Sequence, residues 1–326
     1  MLRLAVLGCC AASLAAQQVA RTAHPQDTLV NGGGNLAPLG VFPTGIGAEA
    51  RTQLLLRSVE LPASGAVLTG IEVHCPGTLT MTYQALTITV ARTTQTGLGN
   101  TFAANLAAPV VVLQGNGLSV PYVSGSWSVI PLNGSYVHDG FSSLVVEFRK
   151  VVSPGSLFFC SMDTPSAPAR TDRPPMLYSL GGLGSGVANA SVATVTAEPI
   201  ALRLVWSGVP TMRHRSDIQP SGNHYALGSP VDLVVDGTPG SFFMTGVDLA
   251  FQPVPFVLPG VGGRLRVVGQ TIGGGTLDAN GVGVQTVRIP VDPGLVGVKV
   301  VYQGGVFDAL TRVGTFTNGH DHFVNQ

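Results

Sequence analysis

Apolar side chains in this chain return at every second position. In 85–92, Leu86, Ile88 and Val90 share one face while Thr87 and Thr89 take the other. In 201–206, Leu202, Leu204 and Trp206 oppose Arg203, and in 297–303, Val298, Val300 and Tyr302 oppose Lys299 and Gln303. Successive side chains of an extended backbone point to opposite faces, so this alternation specifies half-buried strands. Similar runs occur at 53–61, 67–73, 109–113, 143–149, 156–160, 230–236 and 264–268. Gly (43 residues) and Pro (23) punctuate them, and only 10% of residues are charged. That is well below the ~25% of an ordinary soluble domain, and too little to coat amphipathic helices. The expected fold is all-β: two antiparallel β-sandwich (jelly-roll-like) domains behind a leader peptide.

A chain of 326 residues has room for about two domains of ~150 residues. The strand that ends at Trp206 is followed by Ser-Gly-Val-Pro and then by the polar run Arg213-His214-Arg215-Ser216-Asp217. Such a punctuated connector places one domain at 27–208 and the second at 213–326. The Gly-rich stretch 181–186 reads as a loop inside the first. No tandem repeat is evident, which disfavours a solenoid or propeller.

Residues 1–16 read as a secretory signal peptide. Arg3 supplies the positive start, Leu4 to Leu14 the short apolar run, and Ser13-Leu14-Ala15 the small residues before cleavage. Val6-Leu7-Gly8-Cys9 also resembles a lipoprotein box, but its apolar region is shorter than the usual ~7–15 residues. No later stretch reaches the ~18 apolar residues of a membrane span. The expected location is secreted or extracytoplasmic. Formal net charge is zero, so no basic field gathers phosphates and nucleic acid is not an expected partner. Behind the leader, Cys75 and Cys160 remain. In an oxidising compartment they are a disulfide candidate, with two buried thiols as the alternative.

The first domain contains, in order, RTQLLLRSVELP (51–62), GAVLTGIEV (65–73), LTITVARTTQTGLGNTFAANL (86–106) and FSSLVVEFR (141–149). This order resembles a domain of uncharacterised secreted bacterial proteins. There an Arg-x-Gln strand precedes a strand-turn-strand, a Thr-rich strand, a Phe-Ala-x-Asn turn and an aliphatic strand near Arg. Thr52 stands where an aromatic often follows the first Arg. The second domain, with LDANGVGVQTVRIP, GLVGVKVVYQGGVFDA and a final TNG, resembles a companion C-terminal β-domain. The resemblance implies an architecture and brings no catalytic residues.

Asp278-Ala279-Asn280-Gly281 poses a choice between a calcium loop and a turn. Counted from Asp278, an EF-hand would need oxygen at position 5 and Glu at position 12, but these are Val282 and Ile289. Asn280-Gly281 instead signals a two-residue hairpin, and the slip in alternation between Val284 and Val287 suggests a bulge near Gln285. Asp278 stays a candidate for a non-EF calcium site, the one cofactor in view. His320 and His322 share a face of an extended strand and are candidate metal ligands, against an exposed polar tail as the ordinary reading. His138-Asp139 reads as a polar turn, and Glu147, between Val146 and Phe148, as an outward solvated residue.

Catalytic signatures are missing. Gly182-Leu183-Gly184-Ser185-Gly186 is not G-x-S-x-G, no HExxH or Walker loop occurs, and no spacing singles out a carboxylate pair. Tyr122, Trp127 and Tyr136 are candidate sugar-stacking residues, with a core position the simpler reading of Trp127. The sequence points to a non-catalytic β-protein acting by surface contact with a glycan or cell-envelope component. A secreted hydrolase with a fold-assembled carboxylate site and a self-assembling envelope component are the alternatives.

Overall fold

The computed structural model describes residues 19–24, 38–41, 43–156, 176–193, 195–197, 200, 202–214 and 225–326. The leader 1–16 and Cys160 lie outside them. In chain order the strands are β1 (Val19–His24), β2 (Glu49–Leu56), β3 (Val67–Cys75), β4 (Leu79–Thr93), β5 (Val110–Tyr122), β6 (Ser126–Val137), β7 (Ser143–Val152), β8 (Met176–Gly181), β9 (Val195–Ala197) and β10 (Leu202–Ser207). They continue with β11 (Thr211–His214), β12 (Pro230–Asp236), β13 (Phe242–Asp248), β14 (Val261–Gly262), β15 (Gln270–Thr276), β16 (Val282–Arg288), β17 (Lys299–Asp308) and β18 (Val313–Phe323).

The strands form four sheets: β1-β10-β3-β6 and β5-β4-β7-β2-β8-β9, then β11-β12-β16 and β14-β18-β17-β13-β15. Neighbouring strands of these sheets run antiparallel except the two-residue pair β14 and β18. The fold is an all-β sandwich architecture. One core runs from Ala20 to Val209 between the first two sheets, and another from Met212 to Val324 between the second two. Leu86, Ile88, Val90, Leu202, Leu204 and Trp206 all lie in the first core, on the faces their alternation implies.

In β4 the buried residues change phase, from Met81 and Tyr83 to Leu86, Ile88 and Val90. A register shift against β7 between Tyr83 and Ala85 absorbs the change. One inserted residue flips every later side chain, so both halves of this long strand face the core. The similar slip in 282–289 has a different origin. β16 pairs with β12 from Val282 to Arg288 without a shift, and Val284 points to solvent. The bulge expected near Gln285 is absent from this pairing.

The Asp278–Gly281 segment is also not a hairpin. It joins β15 of the five-stranded sheet to β16 of the three-stranded sheet, so it arches between layers. The Gly281 N–H donates to the Asp278 carbonyl at 2.9 Å. The Asp278 carboxylate accepts from the amides of Asn280 and Val282 at 2.8 and 2.9 Å. Only Gly281 takes a left-handed φ, of 75°, where a type I′ hairpin needs two such residues.

The run 264–268 is another departure. It is not a strand but a loop across the five-stranded sheet, held by main-chain bonds of Leu265 to Phe256 and of Arg266 to Gln252 and, on the sheet side, by one side chain. Gln303 Oε1 accepts from the amides of Arg266 and Val267, and its Nε2 donates to the Arg264 carbonyl. A side-chain amide thus supplies the bonds a neighbouring strand would have made.

A Cβ at Gly281 would lie 2.1 Å from the Gly237 carbonyl oxygen as well as forcing the positive φ on a side chain. Gly281→Ala is therefore expected to destabilise by about 1–3 kcal/mol. Gly260→Ala, with positive φ but nothing within 4 Å, should cost less. Urea midpoints of the two variants check the order.

Candidate functional site

The residues that carry the sequence resemblance meet on the outer face of the six-stranded sheet. Pairing of β2 with β7 sets Gln53 opposite Glu147 and Arg51 opposite Arg149. Glu147 faces outward from the sandwich core, yet its exposure is 0%. The expectation of a solvated Glu147 is overturned because the 3-10 turn Phe102–Asn105 and the neighbourhood of Ala190 cover that face. Glu147 Oε2 accepts from Arg51 Nε at 3.0 Å and Gln53 Nε2 at 2.6 Å, and Oε1 from Arg149 Nε at 2.6 Å. Gln53 Nε2 also donates to the Phe102 carbonyl, and Asn105 Nδ2 donates to Gln53 Oε1. Arg51 donates to the Ala190 carbonyl and lies 4.7 Å above the Phe102 ring. Burial pulls the Arg51 guanidinium below its ordinary pKa, Glu147 opposes that, and Arg149 adds to it. The Arg-x-Gln strand and the Phe-Ala-x-Asn turn are thus one buried polar network with a structural task.

The other buried carboxylates are similarly engaged. Glu49 accepts from the Gly184 amide and Ser185 Oγ, which gives the Gly-rich loop 181–186 its anchor. Glu72 meets Arg21 at 2.8 Å and Asp236 meets Arg213 at 3.2 Å. Arg57, beside the first core, bonds both Glu60 at 2.9 Å and Asp321 of β18 at 3.0 Å. Burial works against its charge, but the two carboxylates outweigh that and raise its pKa. Asp321 also takes Lys299 at 2.8 Å.

The sequence candidates do not converge. Tyr122 is inside the first core, its hydroxyl 2.7 Å from that of Tyr83. Tyr83 donates to the Leu39 carbonyl, so Tyr122 is the donor between the two phenols. Tyr136 is buried in the same core, with Arg92 over its ring at 5.7 Å. Trp127 is half-buried on the opposite face of β6, not in the core. Its indole is covered by the Arg203 guanidinium at 3.9 Å and edged by His74 at 5.4 Å.

Asp278 serves the arch described above. His320 and His322 are fully buried in β18 and not on an exposed tail. The tail reading fails because the last strand lies inside the second sandwich. The two rings are 6.3 Å apart, His322 stacks on Tyr225 at 3.9 Å, and His320 stacks on His214 at 5.8 Å. Among the described residues no group of three or more His, Cys, Asp or Glu is placed to hold a metal ion. Cys75 is buried in the first core.

His138-Asp139 forms the expected polar turn: Asp139 accepts from the amides of Phe141 and Ser142 and from Ser142 Oγ. His138 itself is buried, 5.9 Å from the Trp206 ring and 3.8 Å from Asp139.

A feature the motifs did not announce lies beside this turn. Thr93, Thr94, Gln95 and Thr96 line a cavity of about 490 Å³ together with Phe141, Ser142, Ser143, Leu55, Arg57 and Ser58. Phe141 is 55% exposed, and Arg264 of the second domain lies 5.3 Å from its ring. Hydroxyls and an amide around an exposed phenyl ring offer donors and acceptors at the edges and one apolar wall. In sequence, the Thr-Thr-Gln-Thr run was the available signal.

No protein-family model matches the chain, and no curated protein or solved structure is significantly similar to it.

Two stability predictions follow from these geometries. Glu147→Gln removes the charge that compensates Arg51 and Arg149. Leaving a buried cation without its carboxylate costs about 3–5 kcal/mol, to be read as a lowered urea midpoint. His138 has its pKa pushed down to about 4, chiefly by burial. The unfolded chain takes up this proton near the ordinary ~6.5 and the folded chain only near 4. Stability from His138 is therefore complete above pH ~6.5 and falls by about 3 kcal/mol as pH drops towards 4. The wild-type and His138→Gln proteins, unfolded in urea at pH 7.5 and 4.5, should differ in pH slope. Equal slopes would rule His138 out as the cause.

Proposed function

We propose that this is a secreted, non-catalytic protein of two β-sandwiches that acts by contact with a glycan of the cell envelope or surface. The observation that carries this reading is the cavity of Thr93, Thr94, Gln95, Thr96, Phe141, Ser142 and Ser143. A sugar ring presents hydroxyls around its rim and C–H groups on its faces. The Thr, Ser and Gln side chains suit the rim, and the Phe141 ring suits a face. The leader-like residues 1–16 and the resemblance to uncharacterised secreted bacterial proteins support an extracytoplasmic setting.

Support for a binding rather than a hydrolytic role comes from the carboxylates. A glycosidase needs two carboxyl groups facing a substrate across a cleft. Here Glu49, Glu60, Glu72, Glu147, Asp236 and Asp321 each bond a cation or a turn, and none of them lines this cavity. Self-assembly is the second reading. It is favoured by β15, which ends the five-stranded sheet and carries three successive glycines, Gly273, Gly274 and Gly275.

A broad glycan array probed with the mature protein, with calcium and with EDTA, tests the proposal. Selective binding is expected in both buffers. Phe141→Ala should weaken it about three- to tenfold, as for loss of one stacked ring. Absence of binding in either buffer, together with concentration-dependent sedimentation, would replace the glycan reading with self-assembly. Loss in EDTA alone would move the site to a calcium-dependent one elsewhere.

A further inference from the structure

Three glycines on the outward face of the five-stranded sheet could carry a Cβ without a clash, although Gly246 and Gly305 adjoin register shifts of their strands. Gly246 of β13, Gly305 of β17 and Gly314 of β18 are absent from the left-handed φ region. A Cβ would meet its nearest neighbour at 3.7 Å on Gly246 and at 3.6 Å on both Gly305 and Gly314, ordinary contact distances. The contrast is with Gly274 of β15, where a Cβ would fall 2.4 Å from the Phe243 carbonyl oxygen. Glycine in a strand interior weakens the strand, and where packing does not demand it, it often marks the close approach of something else.

The three glycines lie together. Gly305 pairs with Met244 of β13 and with Phe316 of β18, and Gly314 pairs with Phe307. They form part of the floor of a cleft of about 380 Å³, within the ~300–1,000 Å³ usual for small-molecule sites. Phe242, Met244, Phe307 and Phe316 rise from the sheet, and Leu265 and Val267 come from the loop that Gln303 holds across it. Among the described residues no charged side chain lines the cleft. The amide of Gln303 is already bonded to Arg266, Val267, Arg264 and Thr317. The main-chain groups of β17 are engaged on both sides, by β13 and β18. A peptide laid here would bury its own amides with few partners, at a steep penalty. A hydrocarbon has no amides to satisfy.

We propose that this cleft binds the unbranched, uncharged alkyl chain of an amphiphile, with the polar head left in solvent beside the exposed Phe242 and Met244. The glycines keep the floor open for the chain. This site is in the second domain and does not depend on the glycan reading of the first.

Isothermal titration calorimetry of the full chain with straight-chain alcohols from hexanol to dodecanol tests it. One site is expected, tightening about fourfold per added methylene until the cleft is full. Gly305→Val places a side chain on the floor and should weaken dodecanol at least tenfold. Gly314→Ala, whose methyl would touch Val261 at 3.6 Å, should keep the wild-type melting temperature while weakening the longest alcohols severalfold. It serves as the readout if Gly305→Val does not fold. Affinity independent of chain length would overturn the proposal. So would wild-type binding by folded Gly305→Val, or preferential binding of an uncharged apolar peptide.

Discussion

A carboxylate with no contact to water organises the first domain. Glu147 cannot remain charged in that position without partners, and the chain supplies Arg51, Gln53 and Arg149 from three adjacent points of the sheet. Arg51 then reaches the Ala190 carbonyl, and Gln53 reaches the carbonyl of Phe102 and the amide of Asn105. One buried charge thereby fastens two loops across the outer face of the six-stranded sheet. The face that alternation would leave to solvent becomes a second interior, built from polar contacts where the first is built from Leu, Ile and Val.

The same logic joins the two sandwiches. Arg57 leaves the end of β2 and finds its carboxylates in Glu60 nearby and Asp321 far along the chain. Gly319, two residues before Asp321, sits so close to Val59 and Phe251 that a Cβ would lie 2.7 and 2.5 Å from them. Asn318 bonds both the amide and the carbonyl of Met212. Thr317 bonds the amide and the carbonyl of Gly304. The Thr-Asn-Gly run of the last strand thus bonds β17, bonds β11 and abuts the other domain, one task for each residue.

Alternation revealed the strands because it is a local property of extended backbone. Leu86, Ile88 and Val90 needed no knowledge of their neighbours to be placed. What alternation does not reveal is whether the other face is covered. Glu147, His320 and His322 all read as solvated, and all are buried, because a loop or the opposing sheet lies over them. Lys150 makes the point more sharply: it is fully buried, and its Nζ donates to the Gly40 carbonyl. The Asp278–Gly281 turn was legible as a turn from its residue types. That it joins two sheets was not, since pairing of β16 with β12 is decided far from the turn. Likewise, the cavity beside Phe141 draws on two segments that only the packing of β4 against β7 brings together.

The register of the domains also has a consequence for the order of synthesis. β1 pairs with β10, so the four-stranded sheet of the first sandwich lacks its edge until residue 207 has been made. Asp321 comes later still, and until it is translated Arg57 has Glu60 as its nearer anion. A chain growing from its N-terminus must therefore hold a nearly finished first domain in which Arg57 has only one of its two carboxylate partners. The last strand of the second domain supplies the second anchor of Arg57, and a chain cut short before β18 would leave one side of that guanidinium without its buried partner.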